Sequence, residues 1–246
     1  MNKKTDANLY TVLFAIGMVL AVGVLLAFTA SSLRNRIDTN KRIEKQQNIL
    51  YAMGVNENGK NSVVFVSKNK VAEKFAKYIK KQLIIQGNKI VENNNAYLID
   101  IKKEQALAKK GIARKLPLFI GEKQSKTYYI VPIRGKGLWD AIWGYIALDK
   151  NMVVQGVFFD HQVETPGLGA NINQRFFMDD FIGENLMKNG KFEGIKVSKS
   201  NADPKNQDKN DNEVDAIAGA TITGDGVSAM IKSELELYLS YFKTLN

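Results

Sequence analysis

Residues 11 to 30 carry no charged side chain: Thr-Val-Leu-Phe-Ala-Ile-Gly-Met-Val-Leu-Ala-Val-Gly-Val-Leu-Leu-Ala-Phe-Thr-Ala. At about 1.5 Å per helical residue, such a run spans about 30 Å, the thickness of a bilayer's hydrocarbon core. Lys3 and Lys4 precede it and small residues follow, as in a cleaved signal peptide. The apolar core of a signal peptide reaches only about 15 residues, however, so this run reads as an uncleaved anchor over residues 1–32. Arg34, Arg36, Lys41 and Arg42 lie beyond it. By the positive-inside rule these would hold the larger domain in the cytoplasm, although long domains translocate largely regardless of flanking charge.

The remaining residues, 33–246, are enough for one sizeable domain. The sequence has no cysteine and one histidine, His161. Cys-ligated iron–sulfur clusters and Cys/His zinc sites are excluded, and a self-contained haem site is disfavoured. If such a chain moves electrons, an organic cofactor carries them. The net charge of +10 raises the question of nucleic acid. The lysines are scattered, however, and Lys70, Lys74, Lys77, Lys80 and Lys81 fit the solvated face of one helix. Anionic headgroups or an acidic partner suit the charge at least as well.

Leu33 to Met53 reads as a helix leaving the membrane, with Gly54 at its C′ position. Ser62–Ser67 and Tyr97–Ile101 read as short strands. Lys70–Gln86 reads as a helix with Val71, Phe75, Tyr78, Ile79 and Leu83 on one face. Residues 102 to 126 show no firm pattern. Strands follow at Tyr128–Ile133, Ile142–Leu148 and Met152–Phe159, the last two as a hairpin. A helix through Phe176, Phe177 and Phe181 and a strand at Phe192–Val197 complete this part. Ser198–Asn212 is polar and reads as an exposed, mobile loop. Strands and helices mix without βαβ alternation, which predicts an α+β fold.

Two stretches carry chemistry. The first is Asp215-Ala-Ile-Ala-Gly-Ala-Thr221-Ile-Thr223-Gly-Asp-Gly226. It reads as a short strand, a tight turn of small residues, and a helix that becomes amphipathic after Gly226 through Val227, Met230, Ile231, Leu235, Tyr238 and Phe242. Two hydroxyls near a helix start suit a phosphate. An ordinary strand–helix turn would use threonine too. The second is Glu164-Thr165-Pro166-Gly167-Leu168-Gly169, a Pro-Gly turn from which Leu168 can project over an aromatic ligand face. Ile172 occupies the place of a third glycine, so this is not a dinucleotide fingerprint.

Asp215 to Thr221 resembles the flavinylation motif of proteins that carry covalent FMN. In that family the motif runs Asp, two variable residues, Ser or Thr, then Gly-Ala-Thr; here Ala218 stands at the Ser/Thr place. The resemblance implies that a flavin transferase moves FMN from FAD onto Thr221 as a phosphoester, with Asp215 as its recognition residue. It implies cofactor contacts from Gly219, Ala220, Thr223, Glu164, Thr165, Gly167, Leu168 and Gly169. Trp139 belongs either at the flavin edge or to ordinary packing. Gly137-Leu138-Trp139 and Lys45-Gln46-Gln47-Asn48-Ile49-Leu50 are similar to one branch, the NqrC family of the Na+-translocating NADH:quinone reductases. The RnfG family of Rnf complexes is the alternative branch.

The resemblance implies an FMN-binding part at about 120–246, relay of electrons toward quinone within a hetero-oligomer, and a domain on the periplasmic side of a bacterial inner membrane. It implies no catalytic residue, no metal and no nucleic acid, and no complete active site in this chain alone. A membrane-anchored binding module without cofactor is the competing class.

Overall fold

The computed structural model describes residues 3–59, 62–203 and 206–245. Helix α1 (Lys3–Ala52) opens the chain. Its apolar side chains between Leu9 and Phe28 are exposed all round, as in a helix that faces lipid rather than a core. Among the described residues it is one helix long and apolar enough to cross a membrane. The chain divides into two compact units, residues 1–42 and 43–246. The helix runs on past residue 32, as the reading of Leu33 to Met53 as a helix leaving the membrane expects.

The end of α1 follows from its sequence. Gly54 adopts φ +73°, which costs little without a Cβ. Its N–H bonds Tyr51 O at 2.8 Å, and Val55 N bonds Leu50 O at 2.8 Å. This is a Schellman cap, with Leu50 and Val55 buried as its apolar pair.

After α1 the second unit contains α2 (Val71–Tyr78), β1 (Ile79–Gln86), β2 (Lys89–Glu92), α3 (Ile101–Ala108), β3 (Leu116–Lys123), β4 (Lys126–Lys136), β5 (Ala141–Leu148) and β6 (Val154–His161). There follow α4 (Arg175–Asp180), the two-residue strands β7 (Met187–Lys188), β8 (Lys191–Phe192), β9 (Lys196–Val197) and β10 (Glu213–Val214), then α5 (Thr221–Leu235) and α6 (Leu239–Phe242). A six-stranded antiparallel sheet ordered β2-β1-β3-β4-β5-β6 organises it. Helix α5 packs on β4, where a Cβ at Gly135 would stand 2.7 Å from Met230 Cβ. The fold is α+β, as the pattern predicts.

Several local expectations are corrected. Lys70–Gln86 is helical only to Tyr78. The following Ile-Lys-Lys-Gln-Leu-Ile-Ile-Gln pairs with β3, setting Leu83 against Leu118 and Ile85 against Leu116. Its β-branched residues suit a strand, and the 3–4 spacing of Ile79 and Leu83 imitates a helix. Ser62–Ser67 has no ladder partner among the described residues; Gln47 Nε2 reaches Val66 O and Asn58 Oδ1 accepts from Val64 N. Tyr97–Ile101 forms a 3₁₀ turn (Ala96–Leu98) and the start of α3, which Asp100 caps by accepting from Lys103 N. Phe192–Val197 breaks at Gly194 into β8 (Lys191–Phe192) and β9 (Lys196–Val197).

The unread segment 102–126 supplies α3, β3 and a buried polar clamp. Arg114 donates to both carboxylate oxygens of Glu234 at 3.0 and 2.7 Å. Gln105 Nε2 donates to Glu234 and to Arg134 O. Gln105 and Arg114 thus meet at one carboxylate on α5, and Gln105 ties β4 to the same cluster. The loop expected to be exposed is also tied down in its described part. Asn206 and Asn212 are buried, and Asn206 donates to Asp180 O and Glu184 Oε1.

Candidate flavin site

The site forms where α5 begins. The helix starts at Thr221 itself, six residues before Val227, where the apolar period begins. Ala220 is its N-cap and offers no side-chain acceptor, and Gly224 N makes the first helical bond, to Ala220 O. The N–H groups of Thr221, Ile222 and Thr223 precede that bond and have no intrahelical partner, so among the described residues they can meet an anion. Gly224 and Gly226 both fall within α5. There Gly226 abuts the carbonyl of Lys136, and a side chain would collide with it.

The two threonines have different fates. Thr221 is exposed, and its hydroxyl has no protein partner among the described residues. Thr223 is 1% exposed and donates to Glu164 Oε2 at 2.7 Å. Helical spacing explains the split, because residues two apart face different sides.

Glu164 begins the turn that covers the site. Thr165 O accepts from Leu168 N at 3.1 Å, with Pro166 and Gly167 between and Gly167 at φ +79°. That is the type II turn that Pro-Gly favours. His161 Nδ1 accepts from Glu164 N at 3.1 Å, so the histidine orders the loop. Glu164 is 4% exposed; its Oε1 accepts from Trp139 N at 2.9 Å. A Cβ at Gly169 would stand 2.5 Å from Thr223 Oγ1 and 2.6 Å from Glu164 Oε2, and one at Gly137 would stand 2.6 Å from Glu164 Oε1. Only glycine fits at either place.

A cleft of about 230 Å³ lies between this turn and the helix start. Its walls are Glu164, Thr165, Leu168 and Gly169 on one side, Gly219 to Thr223 on the other, and Leu138. Leu168 lies across Gly219, where a Cβ would meet its Cδ2 at 2.9 Å; Gly219 has φ +72°. The structure thus brings together Gly219, Ala220, Thr221, Thr223, Glu164, Thr165, Leu168 and Gly169. Gly167 sits at the back of the turn, outside the lining.

Trp139 is 64% exposed beside the cleft, its Nε1 donating to Thr165 Oγ1 at 3.2 Å. Asp215 lies away from the cleft, half-buried; its Oδ1 accepts from Asp203 N at 3.4 Å. Sequence reasoning passed over Leu138 and Ile222 as wall residues. The signal for each was an aliphatic residue flanked by site residues, one beside Trp139 and one between the two threonines.

A cleft lined by Leu138, Leu168 and Ile222 as well as by Glu164 and the threonines, with a helix start and an exposed hydroxyl at its edge, suits a flat, phosphorylated ligand. Residues 137–236 match the family of the FMN-binding domain. The fold is similar to the crystal structure of NqrC from the Na(+)-translocating NADH-quinone reductase of Parabacteroides distasonis. The two share 31% identity over 87% of this chain and 98% of that one, with a TM-score of 0.73. NqrC from Shewanella oneidensis is similar at 27% identity over 84% and 98% of the two chains, with a TM-score of 0.64. NqrC from the Na(+)-translocating NADH-quinone reductase of Vibrio anguillarum is 29% identical over 92% of this chain and 90% of its own. This chain belongs to the NqrC family of Na(+)-translocating NADH-quinone reductase subunits.

Proposed function

We propose that this chain carries FMN covalently on Thr221 and relays electrons within a Na(+)-translocating NADH-quinone reductase, anchored in the membrane by α1. The observation that carries this reading is the unequal state of the two threonines. Thr223 has spent its hydroxyl on Glu164, and Thr221 presents one at the first turn of α5. The residues fit FMN: free amides and the positive end of α5 suit its phosphate, and Leu168 and Leu138 suit a ring face. Bound FMN would supply the electron chemistry, and the chain contributes attachment, orientation and exclusion of water. A covalent tether explains why a shallow cleft suffices.

The finer assignments follow. A flavin transferase moves FMN from FAD to Thr221, reading Asp215 upstream. Residues 1–32 span the inner membrane once, and the domain from residue 33, with its flavin part from about 120, faces the periplasm. Other subunits of the reductase are the partners on both sides of the relay. The Rnf-like branch is disfavoured because the similarity to NqrC covers nearly the whole chain.

The test is Thr221→Ala in cells that contain the transferase. The fluorescent flavin band on a denaturing gel disappears and the protein still folds; Thr223→Val keeps the band. A band that persists in Thr221→Ala, or an adduct mapped to Thr223, refutes the assignment.

A further inference from the structure

Glu164 does more than close a turn. It is a carboxylate on the wall of the cleft, 4% exposed, and contacts from three separate segments converge on it. Trp139 N arrives from the β4–β5 connection and Thr223 Oγ1 from α5. Gly137 and Gly169 give up side chains to leave room for its two oxygens. Its own backbone N–H is held by His161 Nδ1. A glutamine would fill the same space and could still accept from Trp139 N. The arrangement therefore keeps one acidic group, with one donor on each oxygen, against the place where the ligand sits. Neither Arg nor Lys is among the residues that line this cleft. A carboxylate buried at the wall of a cleft whose lining holds neither Arg nor Lys acts on a ligand there with little compensation from that lining.

We propose that Glu164 is a positioning residue whose fixed negative charge lowers the reduction potential of the flavin. This rests on the reading of the cleft as the flavin site. Each electron that enters the ring adds a negative charge there, unless a proton follows. A carboxylate at the wall raises the energy of the electron-rich form relative to the oxidised one. Glu164 acts through its place on the wall of the cleft.

Two variants move the potential in opposite directions. Glu164→Gln keeps the volume and an acceptor for Trp139 N but removes the charge, so the midpoint potential rises. Thr223→Val keeps the charge and removes one of its two donors. The less compensated carboxylate then lowers the potential further. Both are made in the full chain with the transferase, checked for the fluorescent band, and titrated by visible absorbance in detergent. An unchanged or lowered potential in Glu164→Gln, or a raised one in Thr223→Val, overturns the proposal. So does a folded Glu164→Gln protein without flavin, because the carboxylate would then act in attachment. Absence of flavin from the wild-type chain under these conditions would sink the covalent-flavin reading itself, a distinct result.

Discussion

Glu184 offers a quantitative test of how the polar loop is held. It is wholly buried between α4 and the Asn206 segment, and Asn206 Nδ2 donates to its Oε1 at 2.9 Å. Its other oxygen has no partner among the described residues. Loss of hydration raises its pKa from 4.5 to about 7, against the opposing pull of Asn206 and Lys209 and with help from Asp211 and Asp208. Between these values the folded state binds more protons than the unfolded state, so stability falls as pH rises. At about 1.4 kcal/mol per unit, the 2.5-unit gap corresponds to about 3.5 kcal/mol in all, lost as pH rises from below 4.5 to above 7. Glu184→Gln preserves volume and the acceptor for Asn206 and cannot ionise. Relative to wild type, it should gain about 3 kcal/mol in going from pH 4.5 to pH 8. Denaturant titrations of both proteins in detergent across this range measure the difference. A difference that stays constant with pH would refute the argument. Asp180, raised to about 6 chiefly by burial, titrates in the same sense and leaves a residual slope in both proteins.

Three further outcomes follow from the geometry. Gly169→Ala drives a Cβ between Thr223 Oγ1 and Glu164 Oε2; it should destabilise by about 1–3 kcal/mol and reduce flavin loading, read by denaturation and gel fluorescence. Glu234→Ala strands Arg114 and Gln105 and should cost about 3–5 kcal/mol, whereas the double change Arg114→Met with Glu234→Leu should recover most of it. Leu168→Ala, at a position 40% exposed, should change stability by less than about 1 kcal/mol but shift the spectrum and midpoint potential of bound flavin. An unchanged flavin in that variant would make the loop merely structural.

Much was legible in the linear chain because it depends on local chemistry. The uncharged run at 11–30 read as a membrane-length helix, and α1 contains it without a break. Gly54 ends the helix where the pattern placed it, since the αL cap needs only the residues around it. The Pro166-Gly167 turn and the β5–β6 hairpin were visible for the same reason. The two chemical stretches were also legible as motifs, though not their relation.

Tertiary structure decided what depends on partners far away in the chain. The segment Ile79–Gln86 is a strand because β3 lies beside it, and no periodicity within eight residues could separate that outcome from a helix. The loop from Ser198 looked solvated because it is polar, yet Asn206 and Asn212 satisfy buried carbonyls of segments more than fifteen residues distant. The clearest case is the pair Thr221 and Thr223, two residues apart and with the same hydroxyl. Sequence alone could choose between them only by resemblance. Folding places Glu164, fifty-nine residues earlier, against one of them, and burial of that hydrogen bond leaves the other facing the cleft.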